Sequence, residues 1–384
     1  MVSAVRRGRP IRAVAREFGV SHATVMVWLR RAEGRRLNRA DLQDRPSCPR
    51  CVHRTADEME ALVLDVRREL RRDSALGEYG AAAIRRELLA RGVQAVPSVR
   101  TIGRILDRRG ALDGRCRIRH PAPPRGWYLP DAAAHQAEVD VFDLIEDLCI
   151  QDGPLVDVLT ATSLHGGLAA AWPANAPFSA ENTLDTLLAH WRREGLPSYA
   201  QFDNDTRFQG AHQHSDSVSR VMRLCLSLGV TPVFTPPREA GFQAAIENLN
   251  RRWQDVVWTR FHHESLSALQ ERSASFIRAL RERSAVRRDA APPRPPFPDA
   301  WSLDLQQPLR GRLIYLRRTS QDGRAALLGH VFDVSRQWPY RLVRCEVDLD
   351  HNRIRFFALR RRDPQSQPLL KEVPHFLPHR RFRE

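Results

Sequence analysis

Residues 137–145 read AEVDVFDLI, and residues 154–162 read PLVDVLTAT. Branched and aromatic side chains alternate with polar ones through both, the period-2 pattern of β-strands. Asp140 stands mid-strand between two valines, where a carboxylate is costly unless a partner or a metal ion compensates it. Downstream, GGLAAAWPA (166–174) reads as a third strand, and SYAQFD (198–203) and TPVFTPP (231–237) as two short ones. Between and after them lie three helical patterns, SAENTLDTLLAHWRREG, SDSVSRVMRLCLSLGV and GFQAAIENLNRRWQDVVWTRF. Ser179 is placed to cap the first, and Gly229 ends the second. Three antiparallel strands followed by helix–strand–helix–strand–helix describe an α/β core over residues 135–283.

On either side the pattern changes. In RPIRAVAREFGVSHATVMVWLRRA (9–32), Ile11, Val14, Ala15 and Phe18 form one apolar stripe, and Val25, Trp28 and Leu29 a second. Gly19 and Ser21 separate them as C-cap and N-cap, so residues 1–35 read as a helix-turn-helix. Its second helix turns His22, Thr24, Arg30 and Arg31 outward, although the chain before Ile11 is short for an opening helix. Residues 36–54 are a polar linker. Residues 55–114 hold three more helical segments, the last (VRTIGRILDRRG) carrying Arg100 and Arg104, which suggests a second DNA-binding module of the same kind. Pro and Arg dominate the linker 115–134, and Pro the linker 284–300. Residues 301–384 contain short strand-like runs with interleaved Arg and aromatic residues, the pattern of a small β-barrel.

Charge follows the same division. Residues 1–130 carry a net +14, residues 131–300 a net −6, and residues 301–384 a net +8, within a total of +16. Basic ends suit a polyanion, whose condensed counterions they release, and an acidic middle suits cations. No apolar run is long enough to span a membrane and the N-terminus lacks a signal-peptide core, so a cytoplasmic protein is expected. Six scattered cysteines exclude a disulfide framework. Cys48, Cys51 and His53 make half of a zinc pattern with no second half nearby, so a zinc nuclease built on them is a remote reading.

Asp203 closes a strand that neighbours the one bearing Asp140 in such a core. Two carboxylates side by side repel unless a cation lies between them, and a third acid on the crossing helix, with Glu239 and Glu247 as the candidates, would complete the set. Three such acids hold Mg²⁺ ions for phosphoryl transfer.

From Asp140 to about residue 265 the chain resembles the catalytic cores of retroviral-type integrases and insertion-sequence transposases, the DDE family. The pieces that carry the resemblance are EVDVFD with Asp140, FDNDTRF with Asp203 and Asn204, and PPREAGFQAAIENLN with Glu247. The flanking AVAREFGVS, LGEYGAAAIRREL and LIYLRR segments resemble that family's DNA-binding parts. The resemblance implies a ribonuclease H-like core with a five-stranded mixed sheet. It further implies Asp140, Asp203 and Glu247 as catalytic metal ligands, Mg²⁺ (or Mn²⁺) as cofactor, and double-stranded DNA as partner. The implied activity is metal-dependent phosphodiester hydrolysis and strand transfer at mobile-element ends by a homo-oligomer, near the bacterial nucleoid.

The sequence departs from the family pattern at three points. Asp205 stands where Gly is usual, a position at which Asp tolerates left-handed backbone. Ala240-Gly241 replaces Asn-Gly. The third acid falls at Glu247 rather than at Ala244, and three added residues turn a helix by about 300°, close to one turn, so Glu247 faces the same way. Asp143, Asp205 and Glu239 are the substitute acids. His212 and His214 read as exposed loop residues. The departures also motivate a contrasting reading, a sequence-specific DNA-binding protein with a catalytically decayed core.

Overall fold

The computed structural model describes residues 1–40, 42–43, 54–112, 125–151, 153–210, 214–239, 241–378 and 382. Cys48, Cys51, His53, Cys116, His212 and Ala240 lie outside the described residues. The chain divides into two compact units, Met1–Glu60 and Ala61–Glu384.

The first unit contains α1 (Val2–Arg6), α2 (Ile11–Glu17) and α3 (His22–Ala32). Val14, Ala15, Val25 and Ala32 are buried between them. Gly19 (φ +65°) makes the turn into α3, and the Ser21 hydroxyl caps that helix by accepting from Thr24 N–H at 3.1 Å. Helices α2 and α3 thus occupy the two apolar stripes read from the sequence, with the turn at Gly19–Ser21.

Helix α4 (Asp57–Asp73) runs on past residue 60, and α5 (Ala81–Ala90) and α6 (Val99–Arg108) follow. Val63, Val66, Ile84, Leu88, Ile102 and Ile105 form a separate small core under these three helices. Beyond a short α7 (Pro130–Ala133) come β1 (Val139–Cys149), β2 (Leu155–Ser163), β3 (Ala169–Asn175) and α8 (Ala180–Glu194). Next in order are β4 (Tyr199–Phe202), α9 (Thr206–Gln209), α10 (Arg220–Ser227), β5 (Thr231–Phe234), α11 (Ala244–Trp253), α12 (Leu266–Arg283) and α13 (Ala285–Asp289). The last strands are β6 (Arg312–Arg318), β7 (Arg324–Leu327), β8 (His330–Asp333), β9 (Leu342–Asp348), β10 (Arg353–Ala358) and β11 (Leu369–Pro374).

Among the described residues, nine strands form one mixed sheet in the order β11-β10-β9-β6-β5-β4-β1-β2-β3. Strands β1, β2 and β3 are antiparallel, and β1, β4, β5 and β6 run parallel. This mixed α/β arrangement is consistent with a ribonuclease H-like core over β1–β5. The expected separate C-terminal barrel is not observed among the described residues. Strand β6 pairs with β5 through Val233↔Ile314 and Phe234↔Tyr315, and β9, β10 and β11 continue from it. The physical reason lies in β6 itself: five consecutive residues, Leu313 to Arg317, are buried. A strand covered on both faces belongs inside a sheet, not on the wall of a small open barrel. Strands β7 and β8 form a ribbon of their own.

Each face of the sheet carries a core. Phe142, Leu159, Ala200, Phe202 and Phe234 pack with α8 and α10 on one face. Val139, Val141, Ile145, Tyr199 and Val233 pack with Ile246, Leu249 and Trp253 of α11, and with α12, on the other.

Candidate functional site

Strand period 2 decides which acids can meet. Val139, Val141 and Ile145 point to the α11 face, so Asp143 shares that face, whereas Asp140 points with Phe142 to the α8 face. The parallel register pairs Val139 with Tyr199 and Val141 with Gln201. Carried on two residues, it sets Asp143 beside Asp203. Asp140 lies opposite Ala200 instead.

Helix α11 crosses the Asp143 face and carries two polar residues to it. Asn250 donates its Nδ2–H to Asp143 Oδ2 at 2.7 Å. Asn250 Oδ1 accepts from the Thr160 hydroxyl at 2.7 Å, which fixes the amide's orientation from β2. Glu247, one turn earlier on α11 and exposed, is near enough for its charge to act on Asp143. Burial pushes the Asp143 carboxyl up to about 6; the charges of Asp203 and Glu247 add to this, against hydrogen bonds from Leu144 N–H and Asn250. Burial also raises Asp203, assisted by the charge of Asp205, while the Asp205 N–H opposes it by donating to Oδ1 at 3.0 Å. The charges of Asp203 and Glu247 both act on Asp143, and carboxylate oxygens are the hard donors that a divalent cation of the Mg²⁺ type takes.

Asp140 is absent from this cluster. It is 1% exposed and receives both Arg294 guanidinium nitrogens, Nη1 to Oδ1 and Nη2 to Oδ2, each at 2.7 Å. Trp191 Nε1–H adds a third bond at 3.1 Å. Burial alone would raise its pKa, but the Arg294 charge and hydrogen bonds, helped by His190, hold the carboxyl well below the usual range. The partner that an apolar setting demands is therefore an arginine from the Pro-rich segment 291–298. The structure sets Asp203 beside Asp143, one of the substitute acids, with Glu247 in electrostatic reach, and leaves Asp140 on the opposite face.

The other substitutes are engaged elsewhere. Glu239 pairs with Arg318, which lowers its pKa. Asp205 caps α9 by accepting from Arg207 N–H at 2.8 Å, and it holds the Arg207 side chain through Nε (2.8 Å) and Nη2 (2.7 Å). Its backbone is extended (φ −62°), not left-handed, so the departure from Gly imposes no strain. Arg207 also reaches Glu146 at 2.7 Å and so ties the start of α9 to the far part of β1. Gln201 donates to Phe242 O at 3.0 Å and accepts from Tyr128, aligning the approach to α11. Asn250, Thr160, Arg207 and Gln201 are not singled out by sequence reasoning. For Asn250 a signal exists: it follows Glu247 by three residues, which puts both on one helix face.

The proposed DNA-contact residues occupy varied settings. His22 and Arg30 are exposed on α3. Thr24 is half-buried, with its hydroxyl 2.8 Å from Ser21 Oγ at the cap. Arg31 lies over the Trp28 ring at 4.7 Å and donates to Gln43 O at 3.2 Å. Val27 adds an exposed apolar residue to the outer face of α3. Arg100 and Arg104, one turn apart on α6, are both exposed.

No family model matches the chain. Among solved structures, the catalytic core domain of BIV integrase is similar at 18% identity and a TM-score of 0.26, over 37% of this chain and 80% of that one. The simian T-cell lymphotropic virus intasome is similar at 15% identity and a TM-score of 0.33, over 69% of this chain and 84% of that one. Among the described residues, no helix is long and apolar enough to cross a membrane.

Proposed function

We propose that the chain is a DNA transposase or integrase that cuts and joins phosphodiesters with Asp143, Asp203 and Glu247 as its metal-binding acids. The observation that supports this reading is the register that sets Asp143 of β1 beside Asp203 at the end of β4, with Glu247 of α11 in electrostatic reach of an Asp143 raised by burial and further by both charges. Divalent ions bound there, Mg²⁺ or Mn²⁺, would supply Lewis-acid activation of the attacking oxygen and stabilise the leaving one. The chain's own residues orient that site: Asn250 and Thr160 hold Asp143, the Asp205 N–H holds Asp203, and Gln201 sets the entry to α11. The exposed arginines of α3 and α6 would grip the phosphates of double-stranded DNA, and joining two element ends calls for a homo-oligomer.

The test is strand transfer and hydrolysis on labelled element-end DNA with Mg²⁺ or Mn²⁺. Activity in the wild type, and its loss in Asp143→Asn and Asp203→Asn proteins of unchanged fold, would support the reading. Specific DNA binding without any metal-dependent cleavage would support a decayed core instead.

A further inference from the structure

A second constellation of ligand-type side chains lies away from the three acids. Asp216, in the loop before α10, sits between His330 of β8 and His375, the residue after β11. His330 Nε2 is 3.1 Å from Asp216 Oδ2, and His375 Nε2 is 3.0 Å from Oδ1. One donor atom from each of the three falls within 4.8 Å of the others. Both imidazoles therefore approach tip-first, by the same nitrogen. Ligand bonds of about 2.0–2.2 Å around a tetrahedral zinc ion separate neighbouring donor atoms by about 3.3 Å, close to the two His–Asp separations, which run to different carboxylate oxygens, of 3.1 and 3.0 Å.

The backbone holds this arrangement in place. Asp216 is in the left-handed region (φ +60°), and its N–H donates to Leu328 O at 3.0 Å. Gly329 packs so closely on the same loop that a Cβ there would lie 2.8 Å from Ser215 Cα. His375 N–H is anchored on Asn352 O at 2.9 Å. Strain of this kind persists where the surroundings over-determine a position, often at ligand clamps. The Phe332 ring lies 6.1 Å from the His330 ring and 5.7 Å from that of His375, giving both an apolar wall. The Asp216 and His375 side chains are 11% and 12% exposed, but His330 is 40% exposed, which leaves one side open to a further ligand. Exposed His214, two residues before Asp216, shares a cavity wall with His330.

We propose that Asp216, His330 and His375 bind one transition-metal ion, zinc by the chemistry of the donors. Two imidazole nitrogens and a carboxylate suit a borderline ion rather than Mg²⁺, which takes oxygen. The ion would staple the α10 approach, the β7–β8 ribbon and the end of β11, three segments far apart in sequence. It is independent of the acidic cluster.

The experiment uses the full chain, stripped with chelator and then given zinc chloride, with bound zinc measured by mass spectrometry and stability by thermal denaturation. The expected result is a zinc-induced rise in Tm and a zinc content one equivalent higher in wild type than in His330→Ala/His375→Ala. Asp143→Asn keeps both properties. His375→Gln, which can still donate a hydrogen bond to Asp216, also loses the equivalent. Substituting Co²⁺ into the wild type gives the strong visible bands of a tetrahedral site, a readout that needs no variant. Equal zinc content in wild type and the double variant, or no zinc-induced rise in wild type, would overturn the proposal and leave a hydrogen-bonded His–Asp–His clasp.

Discussion

Asp140 and Asp143 lie three residues apart on one strand and face opposite sides of the sheet, one locked to Arg294 and the other turned toward Asp203 and Glu247. An odd separation on a strand always divides two side chains in this way. The pair thus separates a buried structural acid from an acid available for chemistry, within a single hexapeptide, EVDVFD.

The first prediction uses that division. Asp143→Asn should lower metal-dependent cleavage by about 100-fold or more while leaving the fold intact, since the proposed metal ligand is lost at a partly exposed position. Asp140→Ala should act through stability, costing about 3–5 kcal/mol because Arg294 is left buried without its partner. Urea denaturation distinguishes the two, and Asp140→Leu combined with Arg294→Met should regain much of the loss. Equal stability of Asp140→Ala and wild type would refute the lock.

The same two acids predict opposite responses to pH. Asp143 has a folded pKa of about 6 against an ordinary 3.8. Its contribution to stability is full below 3.8, where it is protonated in both states, and is lost as pH rises toward about 6. In metal-free buffer, wild type should therefore lose stability relative to Asp143→Asn across that window. Mg²⁺ should restore it, with a thermal shift that grows as pH passes about 6 because the ion binds the ionised form. Asp140, held below its ordinary range, contributes above that range and loses its contribution as the pH falls further. Parallel melting curves of wild type and Asp143→Asn from pH 4 to 8 would contradict the raised Asp143.

Much of the fold and part of the site are legible in the sequence, and the failures have physical causes. Alternation marks β1 and β2, and Ser21, Ser98 and Ser179 cap α3, α6 and α8 as side-chain chemistry predicts. The family resemblance, with one helical turn separating Ala244 from Glu247, leads to Glu247. The apolar neighbours of Asp140 advertise burial and favour it over Asp143, but burial is shared by structural ion pairs, and Arg294 lies 154 residues away in a segment that reads as linker. The parity of β1 can be read from the chain; which parity faces α11 requires the packed sheet. The C-terminal strands mislead for a related reason. Pairing of β6 with β5 is a long-range association with no local signature, although RLIYLRR holds a clue in its unbroken apolar centre.

Asn250 is predicted to act through Asp143 as a positioning residue. Its amide lowers the Asp143 pKa by hydrogen bonding to the ionised form. Asn250→Ala should shift the pH midpoint of the Mg²⁺-induced thermal shift upward and weaken the metal dependence of cleavage, with little change in DNA affinity. Asn250→Asp adds a fourth acid and should move the midpoint further in the same direction. Thr160→Val, which removes only the support of the amide, should give a smaller shift. A midpoint unmoved in Asn250→Ala would exclude the role.

The arginines of α3 and α6 separate by environment. Arg30, Arg100 and Arg104 are exposed, so their guanidinium groups are available to phosphate. Replacing each with Ala should weaken binding across all sequences and flatten the dependence of log Kd on log salt by about 0.9 for each phosphate no longer neutralised. Arg31 is held over Trp28 and bonded to Gln43. Arg31→Ala should instead lower the melting temperature of the N-terminal unit, with a smaller change in salt slope. Fluorescence anisotropy on labelled duplexes at several salt concentrations, paired with thermal melts, measures both quantities. An unchanged slope in the Arg30→Ala/Arg100→Ala/Arg104→Ala protein would remove these helices from the DNA interface.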